Sequence, residues 1–392
     1  MRYIIYLKNI RSLFYKLSGA FFLVFGCFAT VFSQYSDSTY IRRMADSLTA
    51  SHFYGRGYVE DGMGKAATFL QKQLHEIGLQ VQEQHFGFPV NRFPGKMQVS
   101  INGQRLRPGL DFLVKPDSKG VKGKFQLKAI DSSNFWARGL EVELVEKLTW
   151  GVALTQSATT SIQVLKTKIA QLPETAEIDI EAEQVPLFEA RNVIGVVPGT
   201  LQPDSFLVIT AHYDHLGKMG DETVFYGAND NASGTAMALA LAKRIKEEPL
   251  PYTVVFLFFA GEEAGILGSA FFVDQGSMDL EKVRFLLNLD LMGNGEEGVT
   301  VVNATEFPRE FEMLREINRS GQYLVAINPR GKAANSDHHW FTEAGVPSFF
   351  IYTLGERKAY HDVDDVLNTL PLYEAGDIVE MVLTFFRQLS GE

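Results

Sequence analysis

From residue 190 onward, apolar runs of strand length recur at 193–197, 206–210, 253–259, 285–289, 299–302 and 348–352, and several end in an acid or a histidine. Between and after them, helical spacing of apolar residues covers 232–246, 267–276, 308–320, 337–344 and 372–389. Continuous apolarity, rather than alternation, predicts strands buried on both faces. The expected fold is therefore α/β, a mixed, largely parallel sheet covered by helices on both faces. Ala211-His212-Tyr213-Asp214-His215 follows the second run, and Ala260-Gly261-Glu262-Glu263 the third. Asp290 follows the fourth, and Tyr360-His361-Asp362 lies past the last. Because ligand sites in open α/β sheets form at the carboxyl ends of strands, one sheet edge should gather these groups.

Upstream the pattern is different. Residues 39–79 are helical in spacing, with Gly55-Arg56-Gly57 and Gly62-Met63-Gly64 reading as loop, and 81–88 reads as a strand. Residues 90–187 then carry many short β-like runs, among them 97–101 and 142–145, with Asn102-Gly103 as a turn signal. The expected organisation is 1–33 signal peptide, 34–89 amino-terminal part of a catalytic domain, 90–188 inserted β-rich subdomain, and 189–392 main part of the catalytic domain.

The expected signal peptide rests on Arg2, Lys8, Arg11 and Lys16 ahead of the apolar run 20–32, followed by Ser33-Gln34 and a polar stretch. The run is short for a membrane span, which needs about 20 apolar residues. Export to the periplasm or the exterior is expected, with no stable membrane association after cleavage. An uncleaved amino-terminal anchor is the alternative. Cys27, the only cysteine, lies inside the apolar run, so cleavage near Ser33 leaves neither disulfides nor thiolate ligands. The formal net charge is −10, with 47 acidic against 37 basic residues, which argues against nucleic acid as a partner.

Carboxylates crowded at one sheet edge raise one another's pKa unless a cation neutralises them. Histidine and carboxylate donors without cysteine suit zinc in an open catalytic site, with cobalt or manganese as substitutes. Gly227-Ala228-Asn229-Asp230-Asn231-Ala232-Ser233-Gly234 is a small-residue loop entering a helix, where Asp230 can keep both oxygens free to bridge two metals. Gly227 and Gly234 permit close backbone approach there. The adjacent Glu262 and Glu263 project in different directions, so one can bind metal while the other carries a proton.

His212-Tyr213-Asp214, the Asp230 loop, Gly261-Glu262-Glu263, Asn288-Leu289-Asp290 and Tyr360-His361, in that order, resemble the co-catalytic zinc exopeptidases. That family includes secreted leucine aminopeptidases, glutamate carboxypeptidases and glutaminyl cyclases. The resemblance covers residue 190 to the carboxyl terminus well, and 39–88 more weakly. It implies two zinc ions per chain: His212 and Asp290 on one, Glu263 and His361 on the other, and Asp230 bridging. Glu262 would be the general base, Asp214 would orient His212, and Tyr360 would donate to the tetrahedral intermediate. Peptides with a free amino terminus are the implied substrates. Carboxypeptidase chemistry with a cationic pocket from Arg330, Lys332 and Arg357, glutaminyl cyclisation, and a catalytically silent ectodomain are the alternatives. In Ser336-Asp337-His338-His339, Ser336 or Asp337 reads as a helix cap, and His338 as a lining residue of the substrate pocket. The oligomeric state, the side-chain preference and the role of the insertion have no sequence signal.

Overall fold

The apolar runs of the carboxyl-terminal half form the middle of an eight-stranded mixed sheet. The computed structural model describes residues 37–391, so the expected signal peptide and Cys27 lie outside the described residues. The strands are β1 (Gln80–Arg92), β2 (Glu183–Val197), β3 (Gln202–His212), β4 (Tyr252–Phe259), β5 (Val283–Leu289), β6 (Val299–Val302), β7 (Ile327–Pro329) and β8 (Ser348–Thr353). Their spatial order is β1-β2-β4-β3-β5-β8-β6-β7. The central strands β4, β3, β5 and β8 are mutually parallel. On one side β1, β2 and β4 pair antiparallel, and on the other β6 runs antiparallel to β8.

Strand side chains alternate between faces, and here both faces are dry. Leu207, Ile209 and Ala211 of β3 join Val254, Phe256 and Phe258 of β4 in one core. Val208, Val255, Leu257 and Phe259 enter a second core on the opposite face. The first is covered by α1 (37–48), α2 (Gly62–Ile77), α3 (Gly234–Glu247), α5 (Pro308–Gly321) and α7 (Ala375–Leu389). The second is covered by α4 (Leu267–Asp274) and α6 (His338–Glu343), through Phe272 and Phe341. The continuous apolar runs are thus explained by two-sided burial.

One local expectation needs correction, and one strand is new. Gly62-Met63-Gly64, read as loop, is the first turn of α2. These glycines serve close packing rather than a break: a Cβ at 62 would lie 2.5 Å from the Phe53 carbonyl oxygen, and one at 64 would lie 2.2 Å from Asp61 Oδ1. β7, the short edge strand, has too little apolar signal to be seen in the sequence; its residues are half-buried to exposed.

Between β1 and β2 the chain builds two further sheets. One has four antiparallel strands, the other five, in which 140–145 and 160–165 run parallel. Asn102 and Gly103, at φ 49° and 79°, form the two-residue turn joining Met97–Ile101 to Gln104–Leu106. β1 and β2 pair from Gln80 opposite Val196 to Arg92 opposite Glu183, a two-stranded stem linking this β-rich part to the main sheet. Its core, including Phe112, Phe135, Trp150 and Ile178, also contains Leu216, Met219 and Phe225 from the hairpin after His212. Among the described residues no helix is long and apolar enough to cross a membrane.

Candidate metal centre

His212 is the last residue of β3 and Asp290 follows β5, its direct neighbour in the sheet, so parallel pairing alone brings them together. His212 Nε2 lies 3.3 Å from Asp290 Oδ1 and 3.3 Å from Asp230 Oδ1. Glu263 comes from the turn after β4, and His361 from the loop beyond β8. His361 Nε2 lies 3.1 Å from Asp230 Oδ2 and 3.0 Å from Glu263 Oε2. The two oxygens of Asp230 therefore face two separate donor sets.

These separations fit a metal. Four donors at zinc bond lengths of about 2.0–2.1 Å, tetrahedrally arranged, sit about 3.3 Å apart. His212, Asp230 and Asp290 offer donor atoms all within 4.8 Å of one another, and His215, Asp230 and Glu263 do the same. Charge asks for cations as well. Burial acts to lower the His361 pKa, but Glu263 and Asp230 overcome it and push it up to about 11. Burial likewise opposes protonation of His212, and the Asp290 and Glu262 carboxylates raise it well above the ordinary value nonetheless. Two imidazoles are so drawn to positive charge because the surrounding carboxylates require it.

Each proposed ligand is held from behind. Ser336 Oγ donates to Asp290 Oδ2 at 2.8 Å and accepts from Asn288 Nδ2, whose Oδ1 accepts from Thr210 Oγ1. Asp337 Oδ1 accepts from Ser269 Oγ at 2.5 Å. Neither Ser336 nor Asp337 makes a side-chain cap bond to α6, which corrects that expectation: their polar atoms are used against the centre and against α4 instead. His338 is 0% exposed with its ring 5.3 Å from that of Phe350, so it is packed in the interior rather than open to a substrate. Burial drives its pKa down to about 4.

Asp214 faces His212 with both its carbonyl and its carboxylate. His212 Nδ1 lies 3.2 Å from the Asp214 main-chain carbonyl oxygen and 3.7 Å from Oδ1. The carboxylate itself accepts the main-chain N–H groups of Glu262 and Glu263, at 3.2 and 3.4 Å. It fixes the turn that carries both glutamates. Asp365 does the same for the bridging loop, accepting from the N–H groups of Asn229 and Asp230.

Three contributors had no role assigned to them in the sequence reading of the site. His215 is fully buried, with Nδ1 2.7 Å from Glu263 Oε1; its place directly after Asp214 was the available signal. Arg56, also fully buried, donates to the carbonyl oxygens of Leu48, Tyr213, Tyr226 and Gly227, placing a fixed cation beneath the acidic cluster. Gly227 is required here, since a Cβ would lie 2.3 Å from His215 Cγ and its φ is +57°. Trp150, from the inserted part, exchanges hydrogen bonds with His361.

Glu262 is half-buried beside the donor sets. Burial pushes its carboxyl well above the ordinary range, with His212 opposing and Glu263 and Asp290 adding to the rise. Tyr360 is 44% exposed, and its ring stacks on His361 at 4.0 Å. Burial and the Asp230 and Glu263 charges push its phenol up, so it stays protonated.

Residues 192–386 match the model of Peptidase family M28. Aminopeptidase YwaD of Bacillus subtilis (strain 168) is 29% identical over 202 residues, which are 48% of this chain and 43% of that protein. A probable leucine aminopeptidase of Arthroderma otae is 29% identical over 210 residues, 51% of this chain and 57% of that one. The chain spans about half the length of these curated relatives. A solved zinc aminopeptidase from Bacillus subtilis superposes with a TM-score of 0.70 at 17% identity, covering 91% of this chain and 95% of that one. At that identity the likeness is one of fold. Through residues 192–386, which carry His212, Glu263 and Asp290 at or just past the carboxyl ends of parallel strands, this chain belongs to Peptidase family M28.

Proposed function

We propose that the protein is a zinc-dependent aminopeptidase, holding two zinc ions and releasing residues from the free amino termini of peptides. One observation carries this reading: the oxygens of Asp230 face two separate histidine–carboxylate sets at 3.1–3.3 Å. His212 and Asp290 would hold one ion, Glu263 and His361 the other. Bound there, zinc would supply Lewis acidity, lowering the pKa of a water and polarising the scissile carbonyl.

The rest is done by side chains. Glu262 would take a proton from the attacking water as its oxygen bonds to the carbonyl carbon. It would then deliver that proton to the leaving nitrogen as the C–N bond breaks. Tyr360, kept protonated, would donate to the oxyanion. The excess of carboxylates favours a substrate with a free, positively charged amine.

The amino-terminal pattern supports export, and 90–188 is best read as an insertion in the catalytic domain. The test is hydrolysis of fluorogenic amino-acid amides with free and N-acetylated termini, before and after chelation and zinc restoration. Activity confined to free termini and recovered with zinc is expected. Metal-bound protein inactive on every amide, or equally active on blocked termini, would overturn the reading.

A further inference from the structure

The inserted β-rich part looks like a cover, but its contacts with the centre are more specific. Both hydrogen bonds that His361 makes outside the carboxylate cluster go to Trp150 of the insertion. The Trp150 N–H donates to the His361 carbonyl oxygen at 2.9 Å, and His361 Nδ1 lies 3.1 Å from the Trp150 carbonyl oxygen. A carbonyl accepts only, so Nδ1 carries a proton, and Nε2 is the nitrogen turned toward Asp230 and Glu263. His361 sits in a loop at φ 53°, without helix or strand to set its direction.

Trp150 is itself fixed. Its Nε1 donates to the Val114 carbonyl oxygen at 2.8 Å, and its ring stacks on Phe225, centroids 4.7 Å apart and planes 20° apart. The residues beside His361 follow the same pattern: Asp362 Oδ2 lies 4.0 Å from Lys147 Nζ, and Val363 packs on the core of the insertion. By contrast His212 and Asp290 are held by Asp214, just after β3, and by Ser336, just before α6, both outside the insertion.

We propose that the insertion is a working part of the metal centre, with Trp150 as a positioning residue that orients His361 and so governs one of the two zinc positions. This rests on the reading of His361 as a zinc ligand. Partners that orient a ligating histidine typically change metal affinity by about 10–100-fold when lost.

The experiment is calorimetric zinc titration of the metal-stripped full chain, native, Trp150→Ala and Trp150→Phe. Trp150→Ala keeps the main-chain partners of His361 but removes the indole that fixes their segment on Val114 and Phe225, so one ion should bind about 10-fold more weakly while the other keeps its affinity. Trp150→Phe, which keeps the stacking on Phe225, should restore most of the loss. As a second measurement, hydrogen exchange on the native chain should show the Trp150 amide and its neighbours slowed by zinc. That measurement decides the matter if Trp150→Ala fails to fold. Two ions bound natively by Trp150→Ala, or exchange in the insertion indifferent to zinc, would overturn the role of Trp150 alone. A native chain that binds no zinc would overturn both this role and the proposed function.

Discussion

The two halves of the centre are built by different means. His212 and Asp290 stand at the ends of adjacent parallel strands, both nearly fully buried, with supports from Thr210 and Asn288 of the sheet and from Ser336 just before α6. Glu263 and His361 stand on loops, and their supports come from His215 and from Trp150 of the insertion. The first half inherits its geometry from strand pairing, which the main core enforces. The second depends on contacts between distant segments, and should be the easier half to loosen. Asp230 joins them, on a loop held by Asp365 and by the carbonyl bonds of Arg56.

The comparison can be tested by variants that touch neither half, one half, or the fold beneath. The largest effect is expected from Glu262→Gln. Turnover should fall by roughly 10²–10⁴-fold with zinc content unchanged; near-native turnover would show that Glu262 is not the base. Tyr360→Phe should lower kcat on the order of 10²-fold and leave both affinities alone, as steady-state kinetics beside zinc titration would show. Ser336→Ala and His215→Ala should each weaken zinc by about 10–100-fold, but on different ions. Competition with a chelator, read for each variant, checks this; both variants acting on the same ion would break the division into halves.

The smallest effect concerns pH. His338 has a folded pKa of about 4 through burial, against about 6.5 in the unfolded chain. Above pH 6.5 it is neutral in both states. As pH falls toward 4 the unfolded chain gains a proton that the folded protein does not, so stability is lost across that window. The slope is at most about 1.4 kcal/mol per pH unit. His338→Phe should flatten the native profile between those values in denaturant titrations, and an unchanged profile would contradict the assignment.

Much of the site is legible in the sequence because strand ends are legible. Runs such as 253–259 mark a strand, and the acid after it falls on the functional edge. What is not legible lies in contacts without local pattern. The Trp150–His361 pair joins positions far apart in the chain through main-chain atoms that any residue supplies. Arg56 reads as part of a glycine-flanked loop, because nothing nearby reveals that its guanidinium will meet the carbonyls of 226 and 227. Ser336 and Asp337 carry the usual signature of a helix cap, and tertiary partners outbid that local use. Asp214 is found by spacing, but whether its carbonyl or its carboxylate serves His212 is a matter of ångströms.

The central claim is that Asp230 joins two cation positions, and zinc titration of the metal-stripped native chain beside Asp230→Asn tests it most directly. Two ions per native chain with separable affinities, both weakened together in Asp230→Asn, is the predicted result. A single ion in the native chain, or an Asp230→Asn variant that holds both at native affinity, would contradict it.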